Sequence, residues 1–162
     1  MSSTNSRTFT DSSHSCDDKP QRLRDSEMNT YPALATDVTE RIIGCAIEVH
    51  RHLGPGLLES VYESAMCLEL RSARLPFVRQ IGVPLFYKGE LIAEHRPDVV
   101  VDDQVVVEIK SVERFNPVFL AQMLTYLRVT GLHVGLILNF NRAVMKDGVR
   151  RVSLREASFQ SL

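Results

Sequence analysis

Apolar positions recur at helical spacing in the first part of this chain and at strand spacing after it. Val38, Ile42, Ala46, Val49 and Leu53 predict an amphipathic helix beginning near Thr36. Asp37 and Glu40 suit its first turn, where the helix dipole favours carboxylates, and Gly54 suits its stop. Gly54-Pro55-Gly56 predicts a rigid turn. A second helix is expected over residues 57–73, with Leu58, Val61, Tyr62, Ala65 and Met66 as its apolar face. So short a connector makes the two helices pack closely together.

After Pro76 the period shortens to β-rich runs. Residues 77–81 and 83–87 come first, Lys88-Gly89 turns the chain, and 91–96 returns. Residues 98–101 are expected to continue that strand, Asp102-Asp103 turns, and 105–110 follows, which predicts an antiparallel meander. Asn116-Pro117 is a helix-start signal, an N-cap with proline at the first helical position, and Gly131 ends that helix. Residues 133–140 read as a buried strand and 148–154 as a short edge strand. The order places the chain in the α/β or α+β class, with one helix crossing between the meander and a final strand.

Residues 1–33 are rich in Ser, Thr, Asn and Asp and have too few large apolar groups to offset their ordering entropy. They predict a disordered polar tail ahead of a single domain over 34–162, and Met28 is a candidate alternative start. The 19 Lys plus Arg against 20 Asp plus Glu leave a net charge of -1, so no global electrostatic pull toward nucleic acid exists. Binding of that kind requires a local basic patch or bridging cations. Cys16, Cys45 and Cys67 are odd in number and widely spaced, which argues against a disulfide framework or a structural zinc site. With no secretory signal and no run approaching the roughly 20 apolar residues of a membrane span, a cytoplasmic protein without membrane contact is the expectation.

Chemistry concentrates between Pro97 and Lys110. Side chains alternate along a strand, so Glu108 and Lys110 share a face with Ile109 opposite. Asp98 precedes them across a short hairpin, so it lies within reach of Glu108 on the neighbouring strand. Two carboxylates at a strand end suit a hard divalent ion such as Mg2+, with the Ile109 carbonyl as a further oxygen ligand and Lys110 placed to orient or help deprotonate an attacking water. The plain alternative is an ion pair between Glu108 and Lys110. The strongly apolar runs 99–101 and 105–107 weigh against it, because charges at the ends of buried strands need partners or an ion. Gln122 and Tyr126, four apart, share one helical face, which suits contact with a nucleotide or a water as well as a half-buried Tyr beside a solvated Gln. Glu59 falls in the first turn of the second helix and Tyr62 one turn on, while Glu48 and His50 near the end of the first helix are less specific.

Gly56-x-x-Glu59-x-x-Tyr62, preceded by Ala46-Ile47-Glu48-Val49-His50 and the Gly54-Pro55-Gly56 turn, resembles the signature of the GxxExxY protein family. The likeness continues through Tyr87-Lys88-Gly89, Asp98, Glu108-x-Lys110 and Gln122-x-x-x-Tyr126, and ends near Asn139-Phe140-Asn141. That family is assigned to the PD-(D/E)XK nuclease superfamily, near the RecB-type nucleases with their QxxxY helix motif. The resemblance implies a restriction-endonuclease-like core, a central mixed sheet flanked by helices. It implies a Mg2+ (or Mn2+) site at Asp98 and Glu108, and catalytic roles for Lys110, Gln122, Tyr126 and Glu59. The function expected from it is metal-dependent hydrolysis of phosphodiester bonds in DNA. Two alternatives remain open: a catalytically silent nucleic-acid-binding or accessory module on the same fold, and a plain protein-interaction domain.

Overall fold

A computed structural model describes residues 33–154. The segment expected to be a polar tail lies outside the described residues except for Ala33, as does Cys16. Helix α1 spans Ala33–Leu53 and α2 spans Glu59–Ser72. Strands β1 (Phe77–Arg79), β2 (Val83–Tyr87), β3 (Glu90–His95), β4 (Val99–Val101) and β5 (Val105–Lys110) follow. Helix α3 (Pro117–Thr130), β6 (Val134–Asn139), a 3-10 turn (Met145–Gly148) and β7 (Val149–Ser153) complete the fold.

Five strands form a mixed sheet in the order β1-β4-β5-β6-β7. Only β5 and β6 run parallel, joined across α3, and the other neighbours are antiparallel. Strands β4 and β6 are buried along their whole length, and β5 is buried up to Lys110. Such largely apolar, buried runs fit strands covered on both faces. Val99, Val101, Val105, Val107, Ile109, Leu136 and Leu138 pack with α1 and α2. On the other face Val106, Ile137 and Val152 pack with Met123, Tyr126 and Leu127 of α3. Gly135 sits under Met123 of α3, where a Cβ would collide with the methionine side chain. The α3 boundaries are locally encoded: the Asn116 side chain accepts from the Val118 amide at 3.0 Å, Pro117 opens the first turn, and Gly131 ends it at φ 73°.

The meander does not form as expected. Strands β2 and β3 make a separate two-stranded sheet, and β4 instead pairs with β1 and β5. The chain breaks at Arg96-Pro97, where proline supplies no N–H to a ladder and keeps the preceding residue out of helical geometry. Helix α1 begins at Ala33, so Asp37 and Glu40 lie beyond its first turn. Helix α2 begins two residues later than expected because Leu58 is an extended cap (φ -70°, ψ 149°). Its buried face is therefore Tyr62, Met66, Cys67 and Leu70, while Leu58 is 75% exposed. Cys45 and Cys67 are buried free thiols, and burial pushes both up in pKa. Among the described residues no helix is long and apolar enough to cross a membrane.

Candidate active site

Asp98 ends the break before β4, and the register Val99↔Val107 sets it opposite Glu108 on β5. Asp98 Oδ2 accepts from the Ile109 amide at 2.7 Å, and Oδ1 accepts from Gln80 Nε2 at 3.3 Å. Glu108 shares its face with Val106, the side covered by α3. It is only 4% exposed. Lys110 Nζ donates to Glu108 Oε1 at 2.8 Å and lies 5.1 Å from the centre of the Phe119 ring. Glu108 Oε2 is buried with no hydrogen-bond partner among the described residues.

The energetics follow from this crowding. Burial, and then the neighbouring Asp98 charge, push the Glu108 carboxyl up to about 7 despite Lys110. Burial also raises Asp98, against the Ile109 amide and Lys110, which favour its charged form. The Tyr126 phenol is raised by burial and then by the Glu108 charge. Tyr126 is 3% exposed, accepts from Gln122 Nε2 at 2.7 Å, and meets the His95 ring edge-on with centroids 5.9 Å apart. Tyr126 thus stands near the carboxylates, with Gln122 bonded to its hydroxyl and His95, at the end of β3, beside its ring.

Ile109 faces the same place through its backbone. The Lys110 carbonyl accepts from the Phe140 amide on the β6 side, so by strand alternation the Ile109 carbonyl and amide point toward β4 and Asp98. Among the described residues no three His, Cys, Asp or Glu side chains gather as a metal-binding group. Side chains here offer two carboxylates, and one backbone oxygen faces them. That sparse, all-oxygen set fits a hard divalent cation, which takes oxygen ligands and can keep several waters. The unpartnered Glu108 oxygen is the observation that tests the fit: a buried acceptor with no donor is costly unless a cation or a proton meets it.

Glu59 is exposed, and its Oε1 accepts from the Ser111 amide at 3.1 Å, one residue past Lys110. Ser111 Oγ donates back to the Leu57 carbonyl at 2.6 Å. Tyr62 is fully buried, stacks on Phe140 at 4.4 Å, donates to the Gly54 carbonyl at 2.7 Å and accepts from the Leu57 amide at 3.1 Å. Glu59 and Leu57 thus form a latch with Ser111 that ties the start of α2 to the end of β5, while Tyr62 ties the preceding turn to Phe140. His50 contacts the Arg142 carbonyl at 2.7 Å, and Glu48 pairs with Arg51 and His52, away from this cluster.

Sequence reasoning missed Glu63, Gln80, His95 and Phe119. Glu63 on α2 pairs with Arg79 at 2.9 Å and accepts from Gln80 Nε2 at 3.3 Å, so the same amide touches both Glu63 and Asp98. It also missed Asn139, buried at the end of β6, whose side chain bonds both the Val112 amide and carbonyl at 3.0 and 2.8 Å. A polar residue ending an apolar strand was the available signal for it.

No curated protein matches the chain significantly. A family model described as the PD-(D/E)XK nuclease superfamily matches residues 36–152, spanning α2, the five-stranded sheet but for the last residue of β7, α3 and every site residue above. The chain belongs to the PD-(D/E)XK nuclease superfamily.

Proposed function

We propose that the domain, over residues 34–162, is a metal-dependent nuclease that hydrolyses phosphodiester bonds in DNA and works in the cytoplasm. Nuclease-type function follows from the superfamily, whose members generally use divalent metals. The observation that carries the finer reading is the buried Glu108 oxygen left without a partner beside Asp98. Asp98, Glu108 and the Ile109 carbonyl are the ligand set for Mg2+ or Mn2+. A divalent ion there would offset the carboxylate charge that otherwise repels phosphate, and acidify a water.

The chain's own groups do the rest. Lys110 keeps Glu108 Oε1 fixed and presents an ammonium that orients the attacking water and stabilises negative charge on it. Tyr126, oriented by Gln122, positions the water or the nucleic acid. Glu59 supports the cluster from the GxxExxY latch, holding the backbone just past Lys110. Phe119 and Tyr126 shield the lysine and the carboxylates from bulk water on the α3 side.

The test is cleavage of single- and double-stranded DNA with Mg2+ or Mn2+. Asp98→Ala and Lys110→Ala should each lower the rate by about 100-fold or more. Variants that cut as well as the wild type would overturn this assignment. A wild type that binds metal and DNA but never cuts would point to the silent accessory module instead.

A further inference from the structure

We propose that Gln80 is a positioning residue for Asp98, holding its carboxylate in the orientation that a cation requires and tying it to α2 through Glu63. The proposal rests on the reading of Asp98 and Glu108 as a metal site.

Gln80 lies just past β1, where its backbone amide donates to the Asp98 carbonyl at 3.1 Å. Its side-chain amide reaches two carboxylates at once, Glu63 Oε2 and Asp98 Oδ1, each at 3.3 Å. Both Asp98 oxygens are thereby held, Oδ2 by the Ile109 amide and Oδ1 by Gln80. Two donors on the two oxygens stop the carboxylate from rotating about its last bond. Glu63 is itself fixed, since Arg79 donates to Oε1 from Nε at 3.0 Å and its Nη2 lies 2.9 Å away, and the Glu63 side chain is only 12% exposed. The amide therefore rests on an anchored support, and it separates two carboxylates that repel one another.

The backbone adds an independent argument. Gln80 sits at φ 48°, in the left-handed region where glycine is comfortable and Asn or Asp is the usual exception. A glutamine there is disfavoured by its own backbone, and its side chain is the compensating gain. Partners behind a metal ligand typically set affinity by about 10- to 100-fold.

Calorimetric titration of the full chain with Mn2+, beside metal-free thermal unfolding, separates positioning from simple support of the fold. Wild type should bind Mn2+ and Asp98→Asn should not. Gln80→Gly and Gln80→Ala should both bind about tenfold more weakly or worse. Their unfolding midpoints should diverge, with Gly at or above the wild type because it relieves the backbone, and Ala below Gly. Two results would overturn the proposal alone: Gln80→Gly binding as tightly as a binding-competent wild type, or affinity simply following the midpoints. A wild type that takes up no Mn2+ would remove the metal reading and this proposal together.

Discussion

Lys110 Nζ lies 2.8 Å from Glu108 Oε1, yet Glu108 Oε2, also on this buried side chain, meets no donor among the described residues. One ammonium therefore faces two carboxylates, because Asp98 stands across from Glu108 and raises its pKa. A self-sufficient ion pair would satisfy both oxygens or leave the group exposed to water. This one does neither, which is the arrangement expected where a further cation completes the charge balance.

The pH dependence of the metal-free fold follows with a definite sign. The Glu108 carboxyl titrates near 7 when folded and near the ordinary glutamate value of 4.5 when unfolded. Between those values the unfolded chain has released a proton that the folded chain keeps, so this group makes stability fall as pH rises. The loss is complete above about 7 and is on the order of 3 kcal/mol. Glu108→Gln should flatten the decline, gaining on the wild type in urea midpoint from pH 5 to 8 without metal. Mn2+ affinity of the wild type should weaken below pH 7, where the cation competes with the proton. Parallel curves for wild type and Glu108→Gln would contradict the perturbed carboxyl.

Glu59 and Tyr62 differ in what they should do. The Glu59 carboxylate accepts one backbone hydrogen bond, from Ser111. A neutral amide oxygen accepts it too, so Glu59→Gln should keep activity within several-fold of wild type, while Glu59→Ala, which releases the segment after β5, should lose about tenfold or more. Equal loss in both variants would assign Glu59 to the metal instead. Tyr62→Ala removes a fully buried ring stacked on Phe140 and should cost about 3–5 kcal/mol in unfolding free energy.

Local rules carried far into this structure and stopped at particular places. Strand alternation put Glu108 and Lys110 on one face, and the short Asp102-Asp103 turn brought Asp98 across from Glu108, because both depend on residues within about a dozen positions. The α3 ends were written in Asn116, Pro117 and Gly131. Sheet membership was not legible. Val83–Tyr87 and Glu90–His95 form strands as the central segments do, and only long-range pairing decides that β4 joins β1. Gln80 was invisible for a similar reason: nothing local marks a glutamine for a left-handed backbone, and its partners Glu63 and Asp98 come from α2 and the break before β4.

Tyr126 offers a separation of packing from chemistry. Its ring lies in the α3-side core and against His95, while its hydroxyl meets Gln122. Tyr126→Phe keeps the ring and removes the oxygen. DNA cleavage should fall by about 10- to 100-fold, with an unfolding midpoint close to wild type. Full activity in the phenylalanine variant would confine Tyr126 to the core.

The claim that Asp98 and Glu108 hold a divalent cation is tested most directly by thermal unfolding at rising Mg2+ or Mn2+, with Ca2+ and a matched ionic-strength control. Binding to the folded state alone raises the midpoint by mass action. At metal tenfold above Kd the rise should be on the order of 3–6 °C. The account predicts that rise in the wild type and its disappearance in Asp98→Asn. A midpoint unmoved at millimolar metal, or one that rises equally in wild type and Asp98→Asn, would contradict it.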